Sequence, residues 1–478
     1  MKFLSSGIFK TAVLIFTVCL CFINCENVSY NLICFLTLVD VALCVVVIYS
    51  SGAISIKNPA FLFWIVTLIF SLGQNLAYLF IIDREALSSS LLYPYKYSAA
   101  KMNFGSVYTI QAFNLFTIGL FGRTARGKCE PNISQSIARK KSTDETALAK
   151  SGYLFGTLAF ILGAVPQLMY LKVSLVQYFN GGYGDTAADQ LSGLVLRLHY
   201  LFLPAVFVKY VSKIKLNKNT LFDQSVILSQ VAAFLLMGDR GTGLAVFVTY
   251  IWIKAVTDEN FKLKKYIIPC VAVILCIPLI KYYRIFFSRG DASAFSGALT
   301  YIFNNNPIVD LLLETGSSQR IIIMTAKKVS LEGFAGGRAY LDFFIKMIPS
   351  NFGIKQNYGT LAKWVLNTTS HQSYGFTVWA EAYLNFGKWG IPFMYIIGFL
   401  FGKMFSCSEK PDVFQLMRVS VILYFFADIA RRSISEFGYN FLYDMVIPLI
   451  VIYVAADLFK DKKLLYGVGE SNEQIEKT

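Results

Sequence analysis

The residues best suited to acid–base chemistry lie in one stretch, which runs from His371 to Gly390. His371 is one of only two histidines in the chain, and Glu381 follows it in the same stretch. A neutral imidazole or a carboxylate could take a proton here from a hydroxyl group. A capping or interfacial role fits His371 equally well, whereas a lone glutamate leading into an apolar segment needs a partner. Tyr374 and Tyr383 could stack on a ring-shaped ligand or belong to an interfacial aromatic belt.

Arginines form a second candidate group, suited to anionic ligands. Arg240 follows Gly238-Asp239 in a very short connection between apolar segments, where its planar guanidinium could bind phosphate or carboxylate. A plain hairpin turn, with Asp239 pairing with Arg240, fits the same residues. Arg284 and Arg289 follow the end of an apolar segment, where they could stabilise an anionic leaving group or contact lipid headgroups. The remaining candidates for anion binding are Arg197, Arg320 and Arg338.

Long apolar segments must position these side chains. The chain has 478 residues, of which 55% are hydrophobic and 15% are charged, and this excess of apolar surface indicates contact with lipid. Since a spanning helix needs about 20 predominantly apolar residues, we predict an all-α polytopic membrane protein with about twelve transmembrane helices. The predicted spans are 8–24, 28–50, 59–82, 104–122, 152–172, 191–211, 219–237, 242–256, 265–282, 387–405, 413–430 and 437–458.

The distribution of basic residues predicts the orientation of the chain. The net charge is +15, and more than half of the 44 Lys and Arg residues fall in segments that share one side if both termini are cytoplasmic. We therefore predict cytoplasmic termini and regard the basic charge as a topology signal, with no nucleic-acid partner. The predicted parts are a membrane domain (1–282), a large periplasmic loop of short helices (283–375), a second membrane part (376–460) and a cytoplasmic tail (461–478).

Most polar residues inside the predicted spans lie in the outer, non-cytoplasmic part of the membrane. Ionisable side chains in membrane helices are costly and usually face a cavity or a partner. Their outer location therefore predicts a polar cavity that opens outward beneath the large loop, although hydrogen bonds between helices explain single residues equally well. Asp223, near the cytoplasmic side, is the exception. The outer polar residues are Gln74, Asn75, Arg197, His199, Asp428 and Asp444.

The sequence has none of the patterns that usually hold a nucleotide or a metal. It has no Walker motif and no Asp-x-Asp pair, and Asp83-Arg84-Glu85 fits a charged loop. None of the nine cysteines forms a Cys-x-x-Cys pair. We therefore expect no metal and no cofactor.

The sequence resembles the Wzy-type O-antigen polymerases in its topology and in several short motifs. Two motifs are Gly238-Asp239-Arg240-Gly241 and Glu381-x-Tyr383-x-Asn385-Phe386-Gly387-x-x-Gly390. The third is an Arg followed by fifteen residues and a Gly, which Arg320 and Gly336 match. The stretch from His371 through Glu381 to Gly390 is also similar to one found in O-antigen ligases.

The resemblance implies a glycosyltransferase with a fold related to the GT-C enzymes, in the bacterial inner membrane. It would transfer a growing glycan from undecaprenyl pyrophosphate to a new lipid-linked repeat unit at the periplasmic face, without a metal. His371, Glu381 and Arg289 would act in catalysis, and the other arginines with Tyr374 and Tyr383 would bind pyrophosphate or glycan. A chain-length regulator is an implied partner. The alternatives are an O-antigen ligase and a lipid-linked oligosaccharide flippase, and the outward location of the polar residues disfavours the flippase.

Overall fold

The structure consists of helices joined by turns. The computed structural model describes residues 2–80, 98–122, 137–179, 191–262, 264–265, 279, 282–283, 293–304, 306–316, 319–348, 352–358, 360–366, 375–408, 410–427 and 429–460, and no strand occurs among them. In chain order the helices before the large loop are α1 (Lys2–Leu20), α2 (Tyr30–Ser50), α3 (Pro59–Leu79), α4 (Ala99–Leu120), α5 (Ile137–Phe179), α6 (Gly193–Lys215), α7 (Leu221–Leu236) and α8 (Arg240–Thr257).

The large loop and the last part of the chain are also helical. The loop contains α9 (Ala294–Asn304), α10 (Pro307–Thr315), α11 (Gln319–Glu332), α12 (Arg338–Ile345) and α13 (Leu361–Leu366). The helices that follow it are α14 (Val378–Phe386), α15 (Gly390–Met404) and α16 (Val413–Phe426). A last helical segment, Ile434–Phe459, changes from 3-10 geometry through a π-helical stretch to an α-helix.

The chain is a polytopic helical membrane protein. In the part of the chain that the structure describes, seven helical segments are long and apolar enough to cross a membrane: Tyr30–Ser50, Pro59–Leu79, Glu145–Tyr178, Gly193–Lys215, Val378–Met404, Val413–Arg431 and Ile434–Phe459. Three shorter apolar helices, Ser6–Leu20, Leu221–Leu236 and Gly241–Thr257, coincide with further predicted spans. The predicted span 265–282 lies almost entirely outside the described residues.

Helix α4 overlaps the predicted span 104–122 but is more polar than the seven segments, because other helices surround it. Most of its side chains are buried, and the polar ones bond to neighbouring helices. Gln111 Nε2 donates to the Thr17 carbonyl oxygen (3.1 Å), and Asn114 Nδ2 donates to Thr17 Oγ1 (3.0 Å). Trp64 Nε1 donates to Thr117 Oγ1 (3.0 Å). Such bonds between helices replace the water that is missing from a membrane interior.

Helix α15 packs directly against α4, and glycines allow the close approach of the two backbones. A β-carbon at Gly398 would lie 2.1 Å from the Phe116 carbonyl oxygen, and one at Gly119 would lie 2.2 Å from the Tyr395 carbonyl oxygen. Small residues at such contacts are typical of helices that associate within a membrane. This contact anchors the helix that follows the His371–Gly390 stretch to the centre of the bundle.

The helices of the large loop pack onto the membrane helices. Asn306 caps α10 through Oδ1, and Pro307 occupies its first turn. The end of α10 meets α3, where a β-carbon at Gly316 would lie 2.1 Å from the Gln74 backbone nitrogen. At the start of α11 the buried Gln319 accepts a hydrogen bond from Ser106 Oγ of α4 (3.1 Å). The large loop and the membrane helices therefore share one packed core.

Candidate active site

Helix α14 carries Glu381 and begins with a side-chain cap. Thr377 Oγ1 accepts a hydrogen bond from the Ala380 backbone N–H (3.0 Å), which satisfies one of the free donors of the first turn. Trp379 Nε1 donates to Ser71 Oγ of α3 (2.8 Å), and both residues are fully buried. These contacts fix the position of α14 and the direction of the Glu381 side chain.

Glu381 joins α14 to the start of the last helical segment. Its side chain is fully buried, and Oε2 accepts a hydrogen bond from the Ile434 backbone N–H (2.6 Å) while Oε1 accepts one from the Ser435 backbone N–H (3.0 Å). Each carboxyl oxygen therefore pairs with a backbone donor that would otherwise be buried without an acceptor, which accounts for a carboxyl group at this site. The geometry gives Glu381 a positioning function, and its predicted part in proton transfer stays a prediction.

The Gly387-x-x-Gly390 spacing produces a sharp turn between α14 and α15. Gly387 has φ +59°, which favours glycine, and a β-carbon there would lie 2.8 Å from the Phe334 ring. A β-carbon at Gly390 would lie 2.5 Å from the Ala382 carbonyl oxygen, so the chain folds back on itself at this point. Helix α14 is therefore a short helix set at a sharp bend to α15 within the Val378–Met404 segment.

Tyr383 lies among aromatic rings beside this turn. It is half-buried, and its ring makes edge contacts with Tyr108 (5.2 Å between ring centroids) and Phe104 (5.7 Å). Nearby in α12, burial raises the pKa of Tyr340 well above its usual value, and the charge of Glu381 adds to the effect. The Tyr340 hydroxyl therefore stays neutral.

The turn before α12 is bound to the end of α14. The Ala335 N–H donates to the Leu384 carbonyl oxygen (2.9 Å), and the Gly336 N–H donates to that of Asn385 (3.0 Å). Asn385 Oδ1 also accepts a hydrogen bond from the Ala339 N–H (3.2 Å). Arg338, which is exposed, follows this turn and donates from Nε to the Ala335 carbonyl oxygen (3.0 Å). The structure thus brings the segment of Arg338 next to the helix of Glu381 and Tyr383.

The Gly238–Thr242 turn lies beside the connection that leads into the last helical segment. Asp239 Oδ1 caps α8 by accepting a hydrogen bond from the Thr242 backbone N–H (3.2 Å), and Gly238 has φ +75° against the Tyr178 ring. Thr242 Oγ1 accepts a hydrogen bond from Arg432 Nη2 (3.3 Å). The predicted tight turn is confirmed, and its carboxylate caps a helix.

The end of the large loop reaches the same connection. A β-carbon at Gly375 would lie 2.3 Å from the Arg431 carbonyl oxygen, so the two backbones are in contact. Within the last helical segment, a β-carbon at Gly438 would lie 1.9 Å from the Phe343 carbonyl oxygen of α12. The connection and the start of the last helical segment are therefore held by the end of the loop, helix α12 and the carboxylate of Glu381.

A polar cavity opens between this connection and helix α6. It has a volume of about 170 Å³ and is lined by Tyr200, Arg432, Glu436, Phe437 and Asn440. It lies at the end of the bundle that carries the Gly238–Thr242 turn. Concave sites with a few convergent polar groups are the usual places where small ligands bind.

Arg197 lies on the same helix as Tyr200 and belongs to the same end of the bundle. Its guanidinium carbon is 3.3 Å from the centroid of the Tyr439 ring, a close cation–π contact. Behind it, the buried His199 contacts Gln167 Oε1 through Nδ1 (2.5 Å), and Gln167 Nε2 donates to Gln230 Oε1 (2.6 Å). This chain of hydrogen bonds joins α5, α6 and α7, and His199 is the sequence neighbour of Tyr200, which lines the cavity.

A comparison with protein families connects this chain to a known group. The family model described as "O-antigen polysaccharide polymerase Wzy" matches residues 7–463, which is nearly the whole chain. The chain belongs to the Wzy family. Neither curated proteins nor solved structures gave a match to the chain. Membership places the protein among the O-antigen polysaccharide polymerases and confirms the resemblance found in the sequence.

The structure of this Wzy-family protein describes only some of the predicted site residues. Glu381, Tyr383, Arg338, Arg197 and Arg320 are described, and Arg320 lies half-buried in the first turn of α11, beside Gln319. The backbone of Arg240 is described at the start of α8, and its side chain lies outside the described residues. The predicted residues that lie wholly outside the described residues are Arg284, Arg289, His371 and Tyr374.

The lining of the cavity was missing from the predicted site. Arg432 comes from the connection before the last helical segment, Glu436 and Asn440 come from the start of that segment, and Tyr200 comes from α6. The available signal was the Arg431-Arg432 pair at the end of an apolar segment. Among the residues that the structure describes, no group of three or more His, Cys, Asp and Glu is placed to hold a metal ion.

Proposed function

We propose that this Wzy-family protein polymerises oligosaccharide repeat units linked to undecaprenyl pyrophosphate. It transfers the growing chain from its lipid carrier to a new lipid-linked unit at the periplasmic face of the inner membrane. The observation that carries the proposal is the polar cavity, which lies where the Gly238–Thr242 turn, the end of the large loop and the Glu381-bound connection meet. The match to the polymerase family supports the same reaction.

The proposed architecture contains about twelve transmembrane helices in a fold related to the GT-C glycosyltransferases, with both termini in the cytoplasm. Residues 283–375 form the periplasmic loop between the membrane parts 1–282 and 376–460. The packing of α10 and α11 onto α3 and α4 supports a loop that acts together with the membrane helices. Accessibility labelling of single cysteines placed in the loop and at each terminus tests this topology.

The proposed reaction needs neither a nucleotide nor a metal. A hydroxyl oxygen of the acceptor sugar attacks the anomeric carbon of the donor chain, and the bond between that carbon and the pyrophosphate oxygen breaks. The electron pair leaves with undecaprenyl pyrophosphate, and the hydroxyl proton passes to a base. Guanidinium groups stabilise the negative charge that develops on the leaving group.

The predicted site residues receive roles in this reaction. His371 takes the proton, and Glu381 orients the segment that faces the acceptor through its bonds to Ile434 and Ser435. Arg289 acts on the leaving pyrophosphate together with Arg240 and Arg284. The residues that bind the remaining parts of the donor or acceptor are Arg197, Arg320, Arg338, Tyr374 and Tyr383.

A gel of the surface polysaccharide from a strain without this gene tests the proposed function. A polymerase predicts that the ladder collapses to the core plus a single repeat unit, and that the wild-type gene restores it. Loss of every repeat, with long lipid-linked chains accumulating, would instead indicate a ligase. Single units trapped on the cytoplasmic side would indicate a flippase. We expect a separate chain-length regulator as a partner, whose removal changes the distribution of lengths while polymerisation continues.

A further inference from the structure

The side chains that line the cavity differ from those expected around a pyrophosphate. Among the described residues that line the cavity, one cation, Arg432, is accompanied by one carboxylate, Glu436, so this part of the lining carries little net charge. A carboxylate repels phosphate oxygens, and a site built for a multiply charged anion has no use for one. The other described residues of the lining are the neutral Asn440, the phenol Tyr200 and Phe437 with its ring.

The same set of groups suits a polyhydroxylated ring. Guanidinium, carboxylate and amide groups are planar and offer paired donors or acceptors, which match hydroxyls on neighbouring ring carbons. Tyr200 and Phe437 provide flat apolar surface for the C–H face of such a ring. The volume of about 170 Å³ is far larger than the ~10–15 Å³ that a single water needs, so the cavity has room for a sugar ring.

The lining is held in place before any ligand binds. Glu381 binds the backbone N–H groups of Ile434 and Ser435, immediately before Glu436. Thr242 Oγ1 accepts a hydrogen bond from Arg432, and the backbone at Gly438 touches helix α12. A site whose side chains are already fixed binds without the cost of ordering them.

We propose that this cavity binds a single neutral sugar ring of the lipid-linked substrate. The inference rests on the proposed function, because it assigns a subsite for that substrate. Glu436 accepts hydrogen bonds from ring hydroxyls, Arg432 and Asn440 donate to hydroxyl oxygens, and the two aromatic rings flank the sugar. The cavity thereby selects which sugar occupies this position, whereas the pyrophosphate binds elsewhere.

Binding of two lipids to the purified full-length protein in nanodiscs tests the assignment. The first is the host's own single lipid-linked repeat unit, and the second is undecaprenyl pyrophosphate without sugar. We expect Asn440→Leu and the isosteric Glu436→Gln to weaken binding of the repeat unit roughly tenfold or more, as expected for a lost hydrogen bond to a charged or buried group. Binding of undecaprenyl pyrophosphate stays unchanged in both variants. Glu26→Gln, an exposed residue in the connection between α1 and α2, is the matched control.

The other outcomes are also informative. Wild-type affinity for the repeat unit in both variants overturns the sugar assignment while the proposed function stands. An equal loss for both lipids identifies an anion site and also overturns it. Should the wild-type protein bind neither lipid, the proposed function fails and this inference fails with it. The melting temperatures of the isosteric Glu436→Gln variant and the wild type show that the fold is retained.

Discussion

Replacement of Glu381 by glutamine distinguishes a positioning function from a direct part in proton transfer. The carboxylate accepts hydrogen bonds from two adjacent backbone N–H groups, at 2.6 Å from Ile434 and 3.0 Å from Ser435. A glutamine side chain retains one acceptor oxygen and places an NH₂ group against the other donor. Because Glu381 is fully buried, water cannot replace the lost bond.

The size of the effect follows from the lost contacts. Removing one partner of a buried hydrogen bond leaves the other group unsatisfied at a cost of about 1–3 kcal/mol, so we expect Glu381→Gln to destabilise the protein by about 1–3 kcal/mol. Aspartate is one methylene shorter and reaches only one of the two donors. Glu381→Asp should therefore also destabilise the protein, although it keeps the charge.

Thermal unfolding of the detergent-purified variants, measured beside the polysaccharide ladder, provides the assay. We expect melting temperature and chain length to fall together in both Glu381 variants, and the exposed Glu26→Gln control to match the wild type. A Glu381→Gln protein with wild-type melting temperature and no polymer would refute the positioning argument. That result would identify Glu381 as a group that acts on the substrate directly.

Three further predictions concern other parts of the molecule. Asp223 forms ion pairs at 3.1 and 2.6 Å with two largely buried lysines, so Asp223→Asn should destabilise the protein by about 3–5 kcal/mol, measured as a lower melting temperature. Gly387→Ala should cost about 1–3 kcal/mol through its positive φ, with further cost from the contact with Phe334, and should reduce expression of folded protein. Arg284→Lys and Arg289→Lys should shorten the polysaccharide ladder, because an ammonium group cannot replace a two-pronged guanidinium contact. Normal chain length in both lysine variants would contradict the pyrophosphate role.

The membrane helices were predictable because length and hydropathy are local properties of the sequence. The predicted span 242–256 corresponds to Gly241–Thr257, and 413–430 corresponds to Val413–Arg431. The tight turn at Gly238 was predictable for the same reason, since glycine spacing signals it within a few residues. Helix α4 was harder to delimit, because its polar residues bond to neighbouring helices that the local sequence does not specify.

The pairing of distant segments was not predictable from one sequence. The contact between Arg432 and Thr242 joins residues that are 190 positions apart, and the contact between Glu381 and Ile434 spans 53 positions. No local pattern of hydropathy or charge specifies which turn meets which helix end. The sequence therefore indicated a polar region on one side of the membrane, whereas the cavity lining required the three-dimensional packing.

Reconstitution tests the central claim most directly. The purified protein in liposomes is incubated with the host's single lipid-linked repeat units, and the products are separated by size. We predict a ladder of lipid-linked polymers that forms without added nucleotide or metal, together with release of undecaprenyl pyrophosphate. Units that stay single while the protein remains folded would contradict the account.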